Sequence, residues 1–174
     1  VAKTMNLQTQ RQLKRWFPLP TAALYHPQRV SWWTSEKKHN VVAAGRRSYK
    51  TETAKRKLSL RALATTGNFF YAAPTQGQAK KIAWQDLKDL TKIYHAKTPN
   101  ESDLIITLKT GSTIHCLGMD APARIEGQLW HGGILDEYAN MKKEVWSSHV
   151  QPVTADTGAW VDFIGVPEGL NHYY

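Results

Sequence analysis

Short apolar runs alternate with amphipathic stretches along this chain, and that order limits the folds open to it. Residues 68–73 read NFFYAA, an aromatic-rich run that Pro74 stops, as expected of a buried strand. Residues 75–90 then repeat apolar side chains at helical spacing, at Ala79, Ile82, Ala83 and Leu87. Strand–helix–strand order of this kind favours a mostly parallel central sheet that is flanked by helices on both faces.

The remaining segments extend the same pattern. Residues 51–63 predict an amphipathic helix with one small apolar face, formed by Ala54, Leu58 and Ala62. An antiparallel hairpin through Thr110-Gly111 is predicted from two strands, residues 104–108 and 113–117. We expect further helices at residues 29–35 and 143–150, and buried strands at residues 41–44, 132–135 and 159–164. The predicted fold class is therefore α/β, with an antiparallel hairpin added to the parallel sheet.

Composition narrows the class of partner. The chain has 174 residues, which suits one domain with its own core, and its net charge is +9. That charge favours a polyanion such as nucleic acid, although many basic domains bind none and this alternative stays open. Cys116 is the only cysteine, which excludes an intrachain disulfide and a zinc–cysteine cluster and fits a reducing compartment. No apolar run approaches the ~20 residues of a membrane span, so no membrane partner is expected.

A basic loop lies between the first predicted strand and the helix at residues 51–63. Residues 41–52 read VVAAGRRSYKTE, which resembles the phosphate-binding pattern G-x-x-x-x-G-K-[ST] without its two glycines. Ala44 and Tyr49 stand where those glycines belong. Lys50 could neutralise phosphate oxygens, and the hydroxyl of Thr51 could hold Mg²⁺. Taken alone, such a turn is more often a solvated loop.

Three polar clusters follow predicted strands, at residues 45–51, 136–137 and 165–169. In a parallel sheet the carboxyl ends of the strands share one edge, where ligands bind. Asp136 could hold the same Mg²⁺ through water, and Glu137 could orient or deprotonate an attacking water. An exposed Asp-Glu pair by itself is usually only an acidic patch. The coincidence of three clusters at one edge favours a nucleotide site.

Four ordered motifs give the chain a family resemblance. They read GRRSYKTE from Gly45, APT followed by QA from Ala73, ILDEYA from Ile134 and VPEGLNHYY from Val166. In this order and spacing they resemble the large terminase subunit of tailed bacteriophages, specifically its ATPase half. The resemblance covers residues 25–174 and leaves residues 1–24 as an N-terminal arm. It implies a P-loop NTPase fold of the RecA/ASCE type.

The resemblance also implies roles for individual residues. ATP would be held by the loop residues Gly45, Arg46, Arg47, Ser48, Tyr49, Lys50 and Thr51, and Mg²⁺ by Thr51 and Asp136. Glu137 would be the catalytic base, and Arg46 would act in cis on the γ-phosphate. Gln28 after His26-Pro27 would read the adenine edge, although a surface glutamine in a proline-containing turn fits equally well.

This chain departs from the family pattern at three positions. Tyr49 replaces a glycine that would let backbone amides approach phosphate. Glu126 occupies a slot that holds an arginine for the neighbouring subunit in other members, so Arg124 becomes the nearest substitute, with a solvated loop charge as the alternative. Val166 replaces the Thr or Ser of the coupling motif, here Gly165, Val166, Pro167 and Gly169.

The resemblance implies an ATPase that drives double-stranded DNA into a procapsid, in the cytoplasm of an infected bacterial host. Its expected partners are the portal protein, the small terminase subunit and further copies in a ring of five, and an isolated domain is compatible with a monomer. Endonuclease activity is expected only in the full-length protein. Two alternatives stay open: a helicase-like P-loop DNA translocase, and a non-hydrolysing DNA-binding or assembly module with a degenerate loop.

Overall fold

A six-stranded sheet organises the chain in the computed structural model, which describes residues 27–167, 169, 172 and 173. The proposed arm at residues 1–24 lies outside the described residues. The strands are β1 (His39–Ala43), β2 (Asn68–Ala73), β3 (Ile105–Thr107), β4 (Thr113–Gly118), β5 (Gly132–Asp136) and β6 (Trp160–Gly165). Their order across the sheet is β1-β6-β5-β2-β4-β3. All neighbours pair in parallel except β3 and β4, which are antiparallel. The predicted α/β fold with an added hairpin is confirmed.

Helices cover both faces of this sheet. On one face lie α1 (Pro27–Thr34), α2 (Lys50–Ala64), α3 (Gln76–Ala79), a π-helical segment (Lys80–Trp84) and α4 (Gln85–Thr91). On the other face lie a second π-helical segment (Val145–Val150) and α5 (Gln151–Ala155). Single 3₁₀ turns occur at Lys92–Tyr94, Pro122–Ile125 and Tyr138–Asn140. Among the described residues, none of the helices has the length and apolarity needed to cross a membrane.

The amphipathic helix predicted at residues 51–63 is confirmed as α2. Its predicted apolar face, Ala54, Leu58 and Ala62, is fully buried against the sheet. The helix ends where Thr65 adopts an extended backbone and donates its N–H to Arg61 O at 3.0 Å. Because α2 starts at Lys50, its first turn is directly continuous with the basic loop.

Two expected elements differ from the structure. The strand expected to be buried at residues 41–44 is β1, an edge strand whose residues alternate between exposed and half-buried, and Val41 is 63% exposed. A short apolar run cannot distinguish an edge strand from a central one, because the difference lies in how many strands pair with it in the sheet. The helix expected at residues 143–150 instead begins at Val145 and continues to Ala155. Pro152 does not stop it, since proline is compatible with the first turn of α5.

Two glycines of β5, Gly132 and Gly133, leave space at the centre of the sheet for aromatic rings from the neighbouring strands. A Cβ added at Gly133 would come within 2.2 Å of the Phe70 ring on β2, and one added at Gly132 within 2.2 Å of the Trp160 ring on β6. Aromatic rings from both neighbouring strands therefore cover the β5 backbone where its own side chains would stand. This explains why a strand that is buried throughout begins with two glycines.

Asp162 on β6 joins four elements beneath the first helical layer. Its carboxylate is fully buried and accepts hydrogen bonds from Trp32 Nε1 on α1 at 2.8 Å, Asn40 Nδ2 on β1 at 2.7 Å and Lys57 Nζ on α2 at 2.7 Å. The Lys57 ammonium also lies over the rings of Trp32 and Trp160. Burial lowers the pKa of Lys57, and the charge of Asp162 opposes that shift. The cluster holds α1, α2 and β1 against β6.

We predict that Asp162→Ala destabilises the protein by about 3–5 kcal/mol, because it leaves the Lys57 ammonium buried without its counter-ion. Glu101 provides a matched control, since it also accepts from a tryptophan (Trp84) and a lysine (Lys88), but at the surface. Glu101→Ala should lower the free energy of unfolding much less, as expected of an exposed ion pair. Urea denaturation measures both variants, and equal losses would contradict the structural role given to Asp162.

Candidate active site

The carboxyl ends of β1, β5 and β6 bring the three predicted polar clusters to one edge of the sheet. The loop after β1 leads into α2, so Lys50 and Thr51 form its first turn. Lys50 Nζ lies 3.8 Å from Glu137 Oε1, and Thr51 Oγ1 donates to Asp136 Oδ2 at 3.3 Å. The structure therefore brings Lys50, Thr51, Asp136 and Glu137 together, as the sequence predicts.

Asp136 is the most enclosed residue of this group, with 1% of its surface exposed. Besides Thr51, its carboxylate accepts from the hydroxyl of Tyr71 on β2 and from the backbone N–H of Glu137 at 2.9 Å. Three donors from three different elements thus fix the orientation of the carboxylate. A buried carboxylate held in this way is a preorganised ligand for a cation.

Burial also shifts the pKa values of this cluster. It raises the pKa of the Asp136 carboxyl, the hydrogen bond from Tyr71 opposes the rise, and the charge of Glu137 adds to it. Burial and the neighbouring charge of Asp136 raise the pKa of Tyr71 well above its usual range, so its phenol remains a donor at neutral pH. A cation at Asp136 would favour the ionised carboxylate by direct attraction.

The backbone of the basic loop shows how a tyrosine is accommodated where the phosphate-binding pattern has glycine. Tyr49 stands at the second glycine position of the pattern, and its φ of 61° is in the left-handed region that glycine adopts most easily. Arg47 has a φ of 60° as well. Each such residue costs roughly 1 kcal/mol or more of backbone strain. The loop therefore adopts at both residues the left-handed backbone that glycine favours, at an energetic cost that glycine would avoid.

The other side chains of the loop differ in their exposure. Gly45, Arg46 and Arg47 are exposed, and no Cβ contact within 4 Å would restrict a residue at position 45. The hydroxyl of Ser48 is buried and has no hydrogen-bond partner in the described part of the chain. A buried hydroxyl is normally satisfied, so this one is available to a ligand that enters the loop.

Two further residues, Arg124 and Gln28, were predicted to belong to the site. Arg124 lies on the 3₁₀ turn that follows β4 and is exposed. It donates to Gln76 Oε1 at 2.6 Å, and Gln76 lies just after β2. Gln28 lies in the first turn of α1, and its side chain is outside the described part of the structure. The contact described for Arg124 is thus with Gln76, and the predicted role of Gln28 stays a prediction.

The predicted coupling motif follows β6 directly. Gly165 is the last residue of β6, and its carbonyl accepts from Ala44 N of the loop at 3.2 Å. Val166 is half-buried, Pro167 is exposed and Gly169 has a φ of 65°. The motif is thus joined to the basic loop by a backbone hydrogen bond, whatever side chain occupies position 166.

These residues fit Mg²⁺ only together with a ligand that supplies further oxygens. Within residues 27–167 and the three described residues beyond, no group of three or more His, Cys, Asp or Glu side chains could hold a metal. Thr51 and Asp136 offer two oxygen ligands side by side. Mg²⁺ prefers such a site, in which one or two protein oxygens are completed by water and phosphate oxygens.

Sequence reasoning missed Tyr71. It lies in a strand that was predicted correctly, but its role depends on the pairing of β2 with β5, which places Tyr71 beside Ile134, two residues before Asp136. A usable indication was present, because a tyrosine inside an otherwise apolar buried strand must find an acceptor for its hydroxyl. The sequence alone could not identify Asp136 as that acceptor.

Comparison with known proteins adds a family to this geometry. Residues 41–174 match the family model described as "Terminase large subunit, T4likevirus-type, N-terminal". No curated protein sequence matches the chain. Among solved structures, the ATPase domain of the large terminase of Thermus phage P74-26 aligns with a TM-score of 0.75 at 22% identity, over 85% of this chain and 67% of that one.

The large terminase of another phage, described as a thermophilic bacteriophage, aligns with a TM-score of 0.67 at 23% identity, over 84% of this chain and 39% of that one. The same terminase in complex with ADP gives a TM-score of 0.63 at 20% identity, over 80% of this chain and 38% of that one. At these identities the similarity shows a common fold. The part of that terminase matched by this chain is about two fifths of its length.

We predict that Asp136→Asn makes thermal stability less dependent on pH between about pH 4 and 7.5. Burial raises the pKa of Asp136, so the folded protein holds this proton more tightly than the unfolded chain. The wild type therefore loses stability as the pH rises from the unfolded-state pKa through the folded-state pKa, whereas the neutral amide does not. The difference in Tm between variant and wild type should therefore move in favour of the wild type as the pH falls towards 4, in thermal scans monitored by circular dichroism.

The exposed Asp103 is the control, because Asp103→Asn can keep the hydrogen bond from Asn100 Nδ2. Its Tm should follow that of the wild type at both pH values. A constant difference between Asp136→Asn and wild type across this pH range would contradict the assigned cause.

Proposed function

This chain belongs to the terminase large-subunit family, and on that premise we propose that it is the ATPase domain of a phage DNA-packaging motor. It would hydrolyse ATP to drive double-stranded DNA into a procapsid. The observation that carries this proposal is the convergence of Lys50 and Thr51, at the start of α2, on Asp136 and Glu137 at the end of β5. A phosphate-binding lysine, a hydroxyl and two acids at one edge of a parallel sheet are the parts that P-loop hydrolysis requires.

The loop and α2 would hold the phosphates. The N–H groups of the first turn of this 15-residue helix point towards the loop, and the helix dipole favours negative charge there. Lys50 would meet the β- and γ-phosphate oxygens as a point charge, and the buried Ser48 hydroxyl would supply a further hydrogen bond. Gly45, Arg46, Arg47 and Tyr49 complete the proposed loop.

Mg²⁺ would be held by the Thr51 hydroxyl and, through water, by the Asp136 carboxylate. When bound, the ion neutralises phosphate charge during phosphoryl transfer. The hydrogen bonds from Tyr71 and the Glu137 backbone would keep Asp136 aimed at this position. Tyr71 is therefore a supporting residue of the proposed metal site.

Glu137 would orient or deprotonate the attacking water, since it lies beside Lys50 and is less enclosed than Asp136. Arg46, in the loop, would stabilise charge on the γ-phosphate in cis, and Arg124 would do so for a neighbouring subunit. Gln28 would read the adenine edge. Gly165, Val166, Pro167 and Gly169 would couple hydrolysis to movement.

The proposed partners follow from the family and from charge. With a net charge of +9, the chain would contact DNA phosphates without sequence preference, and binding would weaken steeply as salt rises. The portal protein, the small terminase subunit and further copies in a ring, proposed to number five, would complete the motor in the cytoplasm of the bacterial host.

We predict that Lys50→Ala weakens binding of the ATP–Mg²⁺ complex roughly 10- to 150-fold, because charge-assisted hydrogen bonds to phosphate are lost. Glu137→Gln should leave binding unchanged and lower kcat by about two to four orders of magnitude, since it removes the base and keeps the shape. Calorimetry measures binding, and phosphate release measures hydrolysis. Lys97→Ala, at an exposed lysine outside the loop, is the control for loss of charge.

If wild type and Lys50→Ala bind nucleotide equally poorly, the alternative of a non-hydrolysing module is favoured, and the departures at Tyr49, Glu126 and Val166 become the explanation. Stimulation of hydrolysis by a plain duplex would support packaging. Stimulation restricted to forked DNA, with strand separation, would instead favour a helicase-like translocase.

A further inference from the structure

Glu137 has an unusual backbone for a residue of its type. Its φ of 51° is in the left-handed region, at the junction between β5 and the 3₁₀ turn Tyr138–Asn140. A residue other than glycine keeps a left-handed backbone only where the surrounding structure holds it there. The Glu137 carbonyl accepts from Asn140 N at 2.9 Å, and its N–H donates to Asp136 Oδ1 at 2.9 Å. The next residue, Tyr138, shows what holds the turn in place.

The ring of Tyr138 is buried among three other rings. Its centroid lies 4.9 Å from that of Phe163 on β6, 5.0 Å from that of His172 and 6.0 Å from that of Tyr173, each pair packed edge to face. Phe163 belongs to the rigid sheet, whereas His172 and Tyr173 belong to the segment that follows the coupling motif. Tyr138 therefore lies between the sheet and that segment.

Backbone contacts join the same three parts. The Tyr138 carbonyl accepts from His172 Nε2 at 3.2 Å and from Met141 N at 3.0 Å. A Cβ placed on Gly165, at the end of β6, would lie 3.5 Å from Tyr138 N and 3.6 Å from Glu137 Cα. The chain that leaves β6 thus passes beside the Glu137 backbone and then contacts the neighbouring residue through His172.

Tyr173 also responds to the charges of the acid pair. Burial raises the pKa of Tyr173 to about 12, and the charges of Glu137 and Asp136 add to that rise. Because His172 and Tyr173 both pack on the Tyr138 ring, a displacement of these two residues would reach Glu137 through Tyr138.

We propose that Tyr138 is a positioning residue, which sets the orientation of Glu137 according to the positions of His172 and Tyr173. This inference rests on the proposed ATPase function and extends it. The side chain of Val166 cannot donate a hydrogen bond, so in this chain His172 and Tyr173 act on the turn at Glu137 through ring packing and the His172–Tyr138 hydrogen bond. The phenol hydroxyl of Tyr138 takes no part in this mechanism.

The test compares four variants in steady-state hydrolysis and in binding of ATPγS with Mg²⁺. Tyr138→Leu should lower kcat at least tenfold while the nucleotide Kd stays within threefold of wild type, because Lys50, Thr51 and the loop are untouched. Tyr138→Phe should restore kcat to within threefold, since the ring is kept. His172→Ala, which removes a half-buried side chain, should lower kcat by a smaller factor at unchanged Kd.

Trp146→Leu is the matched control. The Trp146 ring also packs on Phe163, at 4.9 Å, and belongs to the same core, but its residue is not next to Glu137. This variant should lose stability and keep its kcat. Hydrogen exchange at Asn140 and Met141 provides a second measurement, and it should speed up in Tyr138→Leu and His172→Ala but not in Trp146→Leu.

A folded Tyr138→Leu protein with wild-type kcat and unchanged exchange would overturn the inference while leaving the ATPase assignment intact. An equal loss of kcat in Trp146→Leu would also overturn it, by showing that general loosening of this core is the cause. Absence of hydrolysis in the wild type would instead remove the proposed function, and this inference with it.

Discussion

The carboxylate of Asp162 fixes the relation between the helical layer and the sheet, and the geometry of the site depends on that relation. Lys57 lies about two turns after Lys50 on α2, so its ion pair with β6 sets how far the start of that helix projects over the ends of the strands. Trp32 and Asn40 donate to the same carboxylate, which satisfies it at several positions. A buried charge is tolerated when it is paired and hydrogen-bonded in this way. Asp136 lies on β5, the strand next to β6, and has hydrogen-bond donors of its own. With α2 fixed in this way, Asp136 lies opposite Thr51.

The basic loop after β1 shows that a residue other than glycine can adopt the backbone conformation that glycine favours. The tyrosine at position 49, where the phosphate-binding pattern has glycine, is in the left-handed region. The first turn of α2 stabilises it locally, since the Tyr49 carbonyl accepts from both the N–H and the hydroxyl of Thr53 at 2.9 Å. A search by residue identity alone would discard this loop, whereas the order of the surrounding motifs retains it.

The sequence was most informative where local pattern and burial agree. The strand at residues 68–73 and the helix around residues 51–63 were predictable because period and composition determine them. The edge position of β1, the π-helical segments and the Tyr71–Asp136 hydrogen bond were not, since each depends on which elements become neighbours. Likewise, the family resemblance indicated Glu137, but only the structure shows the aromatic rings around the residue that follows it.

The two glycines at the start of β5 restrict which substitutions this sequence can accept during evolution. The space above Gly133 is filled by Phe70, and that above Gly132 by Trp160. Neither glycine can acquire a side chain unless the ring beside it shrinks in the same lineage. We therefore expect positions 70 and 133, and positions 132 and 160, to covary among homologues, with a larger residue in β5 accompanied by a smaller one in the adjoining strand.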